Sequence, residues 1–132
     1  MIGKGTEELK KQRGVFLLGM KLNIEEYYSA GDIIIIPSKF GEGFSNVLAE
    51  GILCRLYPMA TNVGDAKKII SDTGTIIKDP SIIEIKKSLN YVLKLSKKER
   101  LKLSESSRKR VLKEFSVKKM SLLYNNIYKE LL

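Results

Sequence analysis

The sequence contains no histidine and no tryptophan, and its only cysteine is Cys54. Without histidine, the chain cannot build a Ser-His-Asp triad, an imidazole general base or a histidine zinc site. A single cysteine excludes an internal disulfide and a cysteine-only metal cluster, and it is compatible with a reducing compartment. No apolar run approaches the roughly 20 residues that a membrane-spanning helix needs, and the first residues lack the pattern of a signal peptide. We therefore expect a cytoplasmic protein.

The positive charge is concentrated in the C-terminal part of the chain. The 132 residues have a net charge of +9. Residues 1–85 contain 10 Lys or Arg and 11 Asp or Glu, a balance of −1, whereas residues 86–132 contain 14 and 4, a balance of +10. This basic segment could contact an anionic membrane, or it could be a set of solvated lysine-rich helices. No nucleic-acid-binding motif is present, so we expect no nucleic-acid partner.

Short apolar segments alternate with helical patterns, which predicts a doubly wound α/β sheet with helices at the C-terminus. The four isoleucines of residues 32–38 are β-branched on both faces, which predicts a central parallel strand covered by helices. Ligands bind such sheets at the carboxyl ends of the strands. The predicted strands are 15–19, 32–38, 57–61 and 74–78; the predicted helices are 6–12, 23–30, 45–53, 66–71, 81–95, 97–115 and 117–132. In the last helix an apolar stripe is formed by Met120, Leu123, Tyr124, Ile127, Tyr128 and Leu131.

The stretch GEGFSNVLAE places two glutamates, Glu42 and Glu50, around a loop-to-helix junction. A helix N-terminus attracts anions, and Gly41 and Gly43 let a ligand approach the backbone. Glu42 could accept hydrogen bonds from hydroxyls on one side of the anion and Glu50 from hydroxyls on the other. A phosphate between two polyols describes a nucleotide sugar. The two glutamates could instead be surface charges that cap the helix or pair with lysines, and their spacing alone does not decide.

The segment AGDIIIIPSKFGEGFSNVLAEGILCRLYPMATNVGDAKKIISDTGTII resembles the nucleotide-binding domain of retaining GT-B glycosyltransferases of the glycosyltransferase group 1 type. IGKGTEELKK, VFLLGMK and the closing RKRVLKEFSVKKMSLLYNNIYKELL are also similar to that family, so the resemblance covers essentially the whole chain. It implies a Rossmann-like sheet forming part of the C-terminal half of a GT-B fold. Residues 1–132 would be a single, incomplete donor-binding domain. The acceptor domain and the family's phosphate-clamping Arg and Lys would be absent, so we expect the chain alone to be inactive.

The resemblance also implies roles for particular residues. Glu42 would be the catalytic residue that contacts the donor sugar, and Glu50 would hold the ribose hydroxyls. The loop of Met20, Lys21 and Leu22 would lie near the base. The residues whose backbone would approach the sugar and diphosphate are Gly43, Phe44, Ser45, Asn46 and Val47.

The implied reaction transfers a hexose from a nucleotide sugar, such as a UDP- or GDP-sugar, to a hydroxyl of a carbohydrate or lipid-linked acceptor, with retention of configuration. The implied setting is cell-surface polysaccharide or lipopolysaccharide synthesis, with no metal and no cofactor. Two alternatives remain open: a stand-alone module that binds nucleotide sugars or docks on anionic membrane, and a nucleotide-sugar epimerase of GT-B architecture. The lack of histidine and the spacing of the two glutamates count against the epimerase.

Two departures from the family pattern lead to local expectations. Gly51 follows the second glutamate, where it should weaken the helix. Arg55 stands where the family has a glycine, which predicts a rebuilt turn because glycine permits positive φ.

Overall fold

The computed structural model describes residues 1–131, which fold around a parallel three-stranded sheet. The strands are β1 (Ile33–Ile36), β2 (Tyr57–Thr61) and β3 (Thr75–Ile77), in the spatial order β1-β2-β3. A short 3-10 turn spans Thr6–Glu8. The helices are α1 (Ile24–Ser29), α2 (Asn46–Leu53), α3 (Ala66–Ile70), α4 (Ile82–Lys94), α5 (Lys97–Glu114) and α6 (Val117–Leu131).

Helices cover both faces of the sheet. On one face Ile34 and Ala60 pack in a single core with residues of α2, α3 and α5. On the other face Tyr57, Met59 and Ile77 pack against Val92 of α4. Because successive residues of a strand point to opposite faces, each face needs its own helical cover. The prediction of a doubly wound α/β sheet with C-terminal helices is confirmed.

The assignment of the central strand from the isoleucine run is wrong. β2 lies in the centre, and all five of its residues are buried. β1 is an edge strand, where only Ile34 is fully buried and the other three isoleucines are half-buried. A run of four β-branched residues predicts that both faces of a strand are in an apolar environment. It does not predict whether the strand has a neighbour on one side or on both.

The predicted strand at residues 15–19 is also absent from the sheet. The backbone of these residues pairs instead with the first residues of the chain: Leu18 N–H donates to Met1 O at 3.0 Å, and Gly3 N–H donates to Gly19 O at 2.8 Å. These few bonds, ended by the left-handed Gly19 (φ 64°), do not build a regular strand. Among residues 1–131, no strand pairs with the outer edge of β1.

Gly51 brings α2 close to β1. A Cβ built on Gly51 would collide with Ile34 Cδ1 and would lie 3.2 Å from Ile34 Cγ2. Glycine lowers the helix propensity at this position, but it allows the backbone of α2 to lie close to Ile34 of β1.

The turn after α2 is not rebuilt as the sequence led us to expect. Arg55 keeps a left-handed conformation with φ 67°, although it is not glycine. Its Nε donates to Glu105 Oε2 of α5 at 2.9 Å. The Arg55 side chain thus connects the turn to α5 through a hydrogen bond. Its backbone keeps a left-handed conformation that is unfavourable for a residue other than glycine.

The last two helices differ in how they are held. α5 begins with a capping box, in which the Ser96 and Glu99 side chains each bond the other's backbone N–H. α6 has no buried residue, and its predicted apolar stripe faces solvent. Within the part of the chain that the structure describes, no helix is both long and apolar enough to cross a membrane.

Candidate functional site

The loop that carries Glu42 follows β1 and is bonded to the end of β2. Thr61, the last residue of β2, donates from Oγ1 to Ser38 O at 2.6 Å. Ser38 in turn donates from Oγ to Glu42 Oε1 at 2.9 Å. Glu42 is half-buried. Its carboxylate is therefore positioned at the carboxyl ends of two neighbouring parallel strands, where open α/β sheets bind ligands.

The turn after β2 supports the same loop from the other side. Asp65 N–H donates to Gly43 O at 3.0 Å. Gly64 has φ +57°, and a Cβ on it would collide with Gly43 O and would lie 2.5 Å from Glu42 O. Sequence reasoning treated these residues as an ordinary turn. The signal available in the sequence was the glycine itself, whose role is a close backbone contact.

Helix α2 begins directly after this loop, with Ser45 as its N-cap residue. The Ser45 side chain makes no capping hydrogen bond, and the residue is only 5% exposed. Its carbonyl accepts the first helical bond, from Ala49 N–H at 3.1 Å. The N–H groups of the first turn, which a capping side chain usually satisfies, are left for another acceptor. An anion at this position would receive these hydrogen bonds and the favourable end of the helix dipole.

Beside α2 lies a cavity of about 500 Å³ that brings together several of the predicted nucleotide-binding residues. Val47 and Glu50 line it from α2, and Met20 and Lys21 line it from the loop before α1. Leu22 does not line this cavity and is 95% exposed. The half-buried isoleucines of β1 form another part of the wall. Glu50 is exposed, so its carboxylate is accessible to a ligand in this cavity.

Tyr28 of α1 is a residue of this cavity that sequence reasoning missed. Burial raises the pKa of its phenol, and the nearby charges of Glu50 and then Cys54 raise that pKa further. Tyr28 therefore stays a neutral hydrogen-bond donor close to the Glu50 carboxylate. The sequence could not predict that Tyr28 lines this cavity, because a tyrosine in a predicted helix is equally compatible with packing on the core.

Two other predicted residues, Phe44 and Asn46, line a second cavity of about 660 Å³. The ring centroids of Phe44 and Phe115 are 5.4 Å apart, so Phe44 packs on the segment between α5 and α6. Glu42, Gly43 and Ser45 line neither of these two cavities. The structure thus places Val47 and Glu50 at one cavity, Phe44 and Asn46 at the other, and the start of α2 common to both. Among residues 1–131, no three carboxylate or thiol side chains are grouped to hold a metal ion.

A parallel sheet with a glycine-bearing loop and a helix start at its carboxyl edge defines a Rossmann-like α/β protein. Comparison with known families then specifies the class. The chain belongs to the family of glycosyl transferases group 1, whose sequence model matches residues 3–110.

Solved structures agree with this assignment. A glycosyltransferase from Rickettsia africae ESF-5 is 28% identical and superposes with a TM-score of 0.77 over 86% of this chain. A sucrose-phosphate synthase from Thermosynechococcus elongatus is 23% identical, with a TM-score of 0.70 over 80% of this chain, and shows the same fold. The chain spans 31% of the length of the first structure and 26% of the second. No curated protein sequence matches it.

Proposed function

We propose that residues 1–131 form the donor-binding part of a retaining glycosyltransferase, with a nucleotide sugar as the donor. The observation that carries the proposal is the arrangement around the start of α2. Along the chain, a helix N-terminus whose N-cap side chain makes no capping bond follows Glu42, which is bonded by Ser38 at the sheet edge, and precedes Glu50, which lines the neighbouring cavity. The family membership supports the reaction class, and the resemblance of residues 28–50 to GT-B donor sites supports the donor.

In this proposal each part of the donor has its own partner. The diphosphate accepts hydrogen bonds from the first-turn N–H groups of α2. The ribose hydroxyls donate to Glu50, and the base lies toward Met20 and Lys21. The hexose hydroxyls donate to Glu42, whose carboxylate is held by Ser38. The Ser38 bond fixes the direction of that carboxylate before the donor arrives, which lowers the entropic cost of positioning the sugar.

The proposed reaction breaks the bond between the anomeric carbon of the hexose and the diphosphate oxygen. The diphosphate leaves with the bonding electron pair. The acceptor's hydroxyl oxygen forms the new bond to the anomeric carbon on the face that the diphosphate leaves, which retains the configuration, and its proton passes to water. Glu42 binds the sugar on this path, and we propose that no metal is required. Stabilising the charge on a leaving group usually supplies the largest catalytic contribution. The resemblance implies that the family's phosphate-clamping Arg and Lys supply this contribution. Because we expect these residues to be absent from the 132-residue chain, we propose that this chain alone binds the donor weakly and does not transfer the sugar.

The acceptor in this proposal is a carbohydrate or a lipid-linked saccharide of cell-surface polysaccharide synthesis, used on the cytoplasmic side of a membrane. The basic segment after residue 85 supports a location near anionic lipid. A stand-alone nucleotide-sugar-binding module would show the same donor contacts, so the two proposals differ only in whether transfer occurs in the presence of an acceptor domain.

Saturation-transfer NMR with UDP, GDP and their sugars tests the donor proposal. The expected result is saturation of the ribose and sugar protons of one nucleotide sugar, unchanged by EDTA and lost in the Glu42→Gln/Glu50→Gln double variant. The matched control is Glu25→Gln, an exposed glutamate of α1, which should bind as the parent does. Equal saturation of the parent and the double variant would show that the site assignment is wrong. Loss of saturation with EDTA would contradict metal-free binding.

A further inference from the structure

A third cavity, of about 350 Å³, lies at the amino ends of β1 and β2, the edge of the sheet opposite to the donor loop. Its wall is formed by the ends of α1 and α2, the first turns of α5, and Asp32 and Arg55, which come just before β1 and β2. It shares no lining residue with the proposed donor cavity, and all of its lining residues lie within the matched family region 3–110. Its volume is at the lower end of the range of about 300–1,000 Å³ for small-molecule sites.

Three cations line this cavity: Arg55, Lys97 and Arg100. Within residues 1–131, Arg55 forms a side-chain hydrogen bond only through Nε, to Glu105. Arg100 bonds only through Nη1, to two backbone carbonyls at the end of α4. The other N–H groups of both guanidinium groups and the Lys97 ammonium are therefore left for a ligand or for water.

Arg55 lines the cavity from a strained backbone. Its φ of 67° is unfavourable for a residue other than glycine. The ion pair with Glu105 compensates only weakly, because 58% of the Arg55 side chain and 39% of the Glu105 side chain are exposed. Strained residues cluster at ligand sites, where the strain is part of the function. The conformation of Arg55 is thus an independent reason to look for a ligand here.

The same cavity contains one carboxylate, that of Asp32, which is exposed. In the part of the chain that the structure describes, no ion pair joins Asp32 to any of the three cations. Inorganic phosphate would be attracted by the cations but repelled by Asp32. A ligand that carries hydroxyls beside its phosphate would satisfy both, because its hydroxyls donate to the carboxylate.

We propose that this cavity binds a phosphomonoester of a small sugar or polyol. The phosphate lies against the three cations, and the hydroxyls donate to Asp32. A free sugar would leave the cations unpaired, and a phosphate without hydroxyls would leave Asp32 without a donor. This site does not depend on the proposed donor site, so the two proposals can fail separately.

Two adjacent lysines provide a matched test, because Lys97 lines the cavity and Lys98 does not, although both are exposed in the first turn of α5. Ribose 5-phosphate is titrated by NMR into the 132-residue chain and each variant. We expect Lys97→Met to bind about fivefold more weakly than the parent, and Lys98→Met less than about twofold. Equal weakening of both, or no saturable binding to the parent, would overturn the proposal.

Arg55→Gly should weaken ribose 5-phosphate binding by about tenfold. Because glycine relieves the backbone strain at this position, unfolding does not explain such a loss. Thermal unfolding of the variant, compared with that of the parent, checks this directly. Unchanged binding by Arg55→Gly would overturn the proposal.

Two further probes separate the parts of the ligand. Methyl phosphate has the phosphate without the sugar hydroxyls, and ribose has the hydroxyls without the phosphate; each should bind at least about fivefold more weakly than ribose 5-phosphate. Asp32→Asn removes the repulsion, so it should strengthen methyl phosphate binding and reduce the preference for ribose 5-phosphate. Equal binding of methyl phosphate and ribose 5-phosphate to the parent, or an unchanged preference in Asp32→Asn, would overturn the proposal.

The donor site is separated from this cavity by Glu50→Gln, which should weaken nucleotide binding and leave ribose 5-phosphate binding unchanged. If ribose 5-phosphate binding falls in Glu50→Gln and not in Arg55→Gly, the ligand occupies the donor site and the cavity is rejected. If the parent binds no nucleotide but binds ribose 5-phosphate with the expected dependence on Arg55 and Lys97, the proposed function fails and this site stands.

Discussion

Gly64 lies against the backbone of Glu42: a Cβ on Gly64 would be 2.5 Å from Glu42 O. The next residue, Asp65, donates its N–H to Gly43 O at 3.0 Å. The turn after β2 therefore positions the loop after β1, and a contact that only glycine allows sets the location of the Glu42 carboxylate. Through Thr61 and Ser38 the end of β2 also orients the Glu42 side chain.

Gly64→Ala should disturb both stability and donor binding. The new methyl group would meet two backbone carbonyls at a positive φ of 57°, and backbone cannot move away as a side-chain end can. We expect a loss of about 2 kcal/mol or more in the free energy of unfolding, measured in urea. Gly14→Ala is the control, because Gly14 also has positive φ but has no atom within 4 Å of its built Cβ. The control should lose only about 1 kcal/mol in the free energy of unfolding. Equal losses in both variants would show that backbone strain alone, and not the contact with Glu42 and Gly43, causes the destabilisation by Gly64→Ala.

Arg55 allows the backbone strain of its turn to be separated from its ion pair. Arg55→Ala removes the bond to Glu105 but keeps a strained left-handed residue at this position. Arg55→Gly removes the bond and also the backbone strain. Because glycine adopts positive φ without strain, Arg55→Gly should be more stable than Arg55→Ala by about 1 kcal/mol in the free energy of unfolding. The ion pair is exposed, so Arg55→Ala should cost less than about 1 kcal/mol. If Arg55→Ala is found to be at least as stable as Arg55→Gly, residue 55 does not have the left-handed conformation.

Glu50→Gln should lower the pKa of Tyr28. The Glu50 charge raises the pKa of this phenol above its ordinary value of 10.0, and the neutral amide removes that contribution. Burial is the larger cause and remains, so the pKa should fall without returning to its ordinary value. Because the chain has six tyrosines, the titration is followed residue by residue by NMR. Glu25→Gln should leave the Tyr28 pKa unchanged; an unchanged value in Glu50→Gln would place Glu50 too far from Tyr28 to share its cavity.

The capping box of α5 should make stability depend on acidic pH. The Ser96 hydroxyl, and then the Ser96 backbone N–H, lower the pKa of Glu99 below its ordinary value of 4.5. A carboxylate with a depressed folded-state pKa stabilises the fold above its unfolded pKa, and this contribution disappears as pH falls through the folded-state value.

Ser96→Ala removes the cap, which should cost about 1 kcal/mol at neutral pH. Urea unfolding of the parent and the variant across the acidic range should give curves that converge as pH falls. A constant difference between them at every pH would show that Glu99 does not take part in the cap.

Much of this fold could be predicted from local pattern. The segments 57–61 and 74–78 contain strands, and the helices after residue 81 start and end within a residue or two of their predicted bounds, because hydrophobic periodicity is a local property. The pairing of strands is not local. The isoleucine run predicted a central strand, yet β1 lies at the edge and the backbone of residues 15–19 pairs with residues 1–3.

The candidate site shows the same limit. The sequence predicted a site at Glu42, Glu50 and the start of α2, which are close along the chain; these roles stay a prediction. It did not identify Tyr28 or Gly64, which reach the site only through packing of α1 and the turn after β2. Nor did it indicate that Phe44 and Glu50 would line different cavities, because the direction of a side chain at a loop-to-helix junction depends on what packs against it.

The central claim is that Glu42 and Glu50 bind different parts of one donor. An NMR titration tests it with the nucleotide, UDP or GDP, that binds the parent, and with the corresponding nucleotide hexose. We expect Glu50→Gln to weaken both ligands by about tenfold, because both contain the ribose. Glu42→Gln should weaken the nucleotide hexose to a similar degree and leave the nucleotide unchanged. Two variants that bind both ligands as the parent does, or a Glu42 variant that weakens the nucleotide itself, would contradict the account.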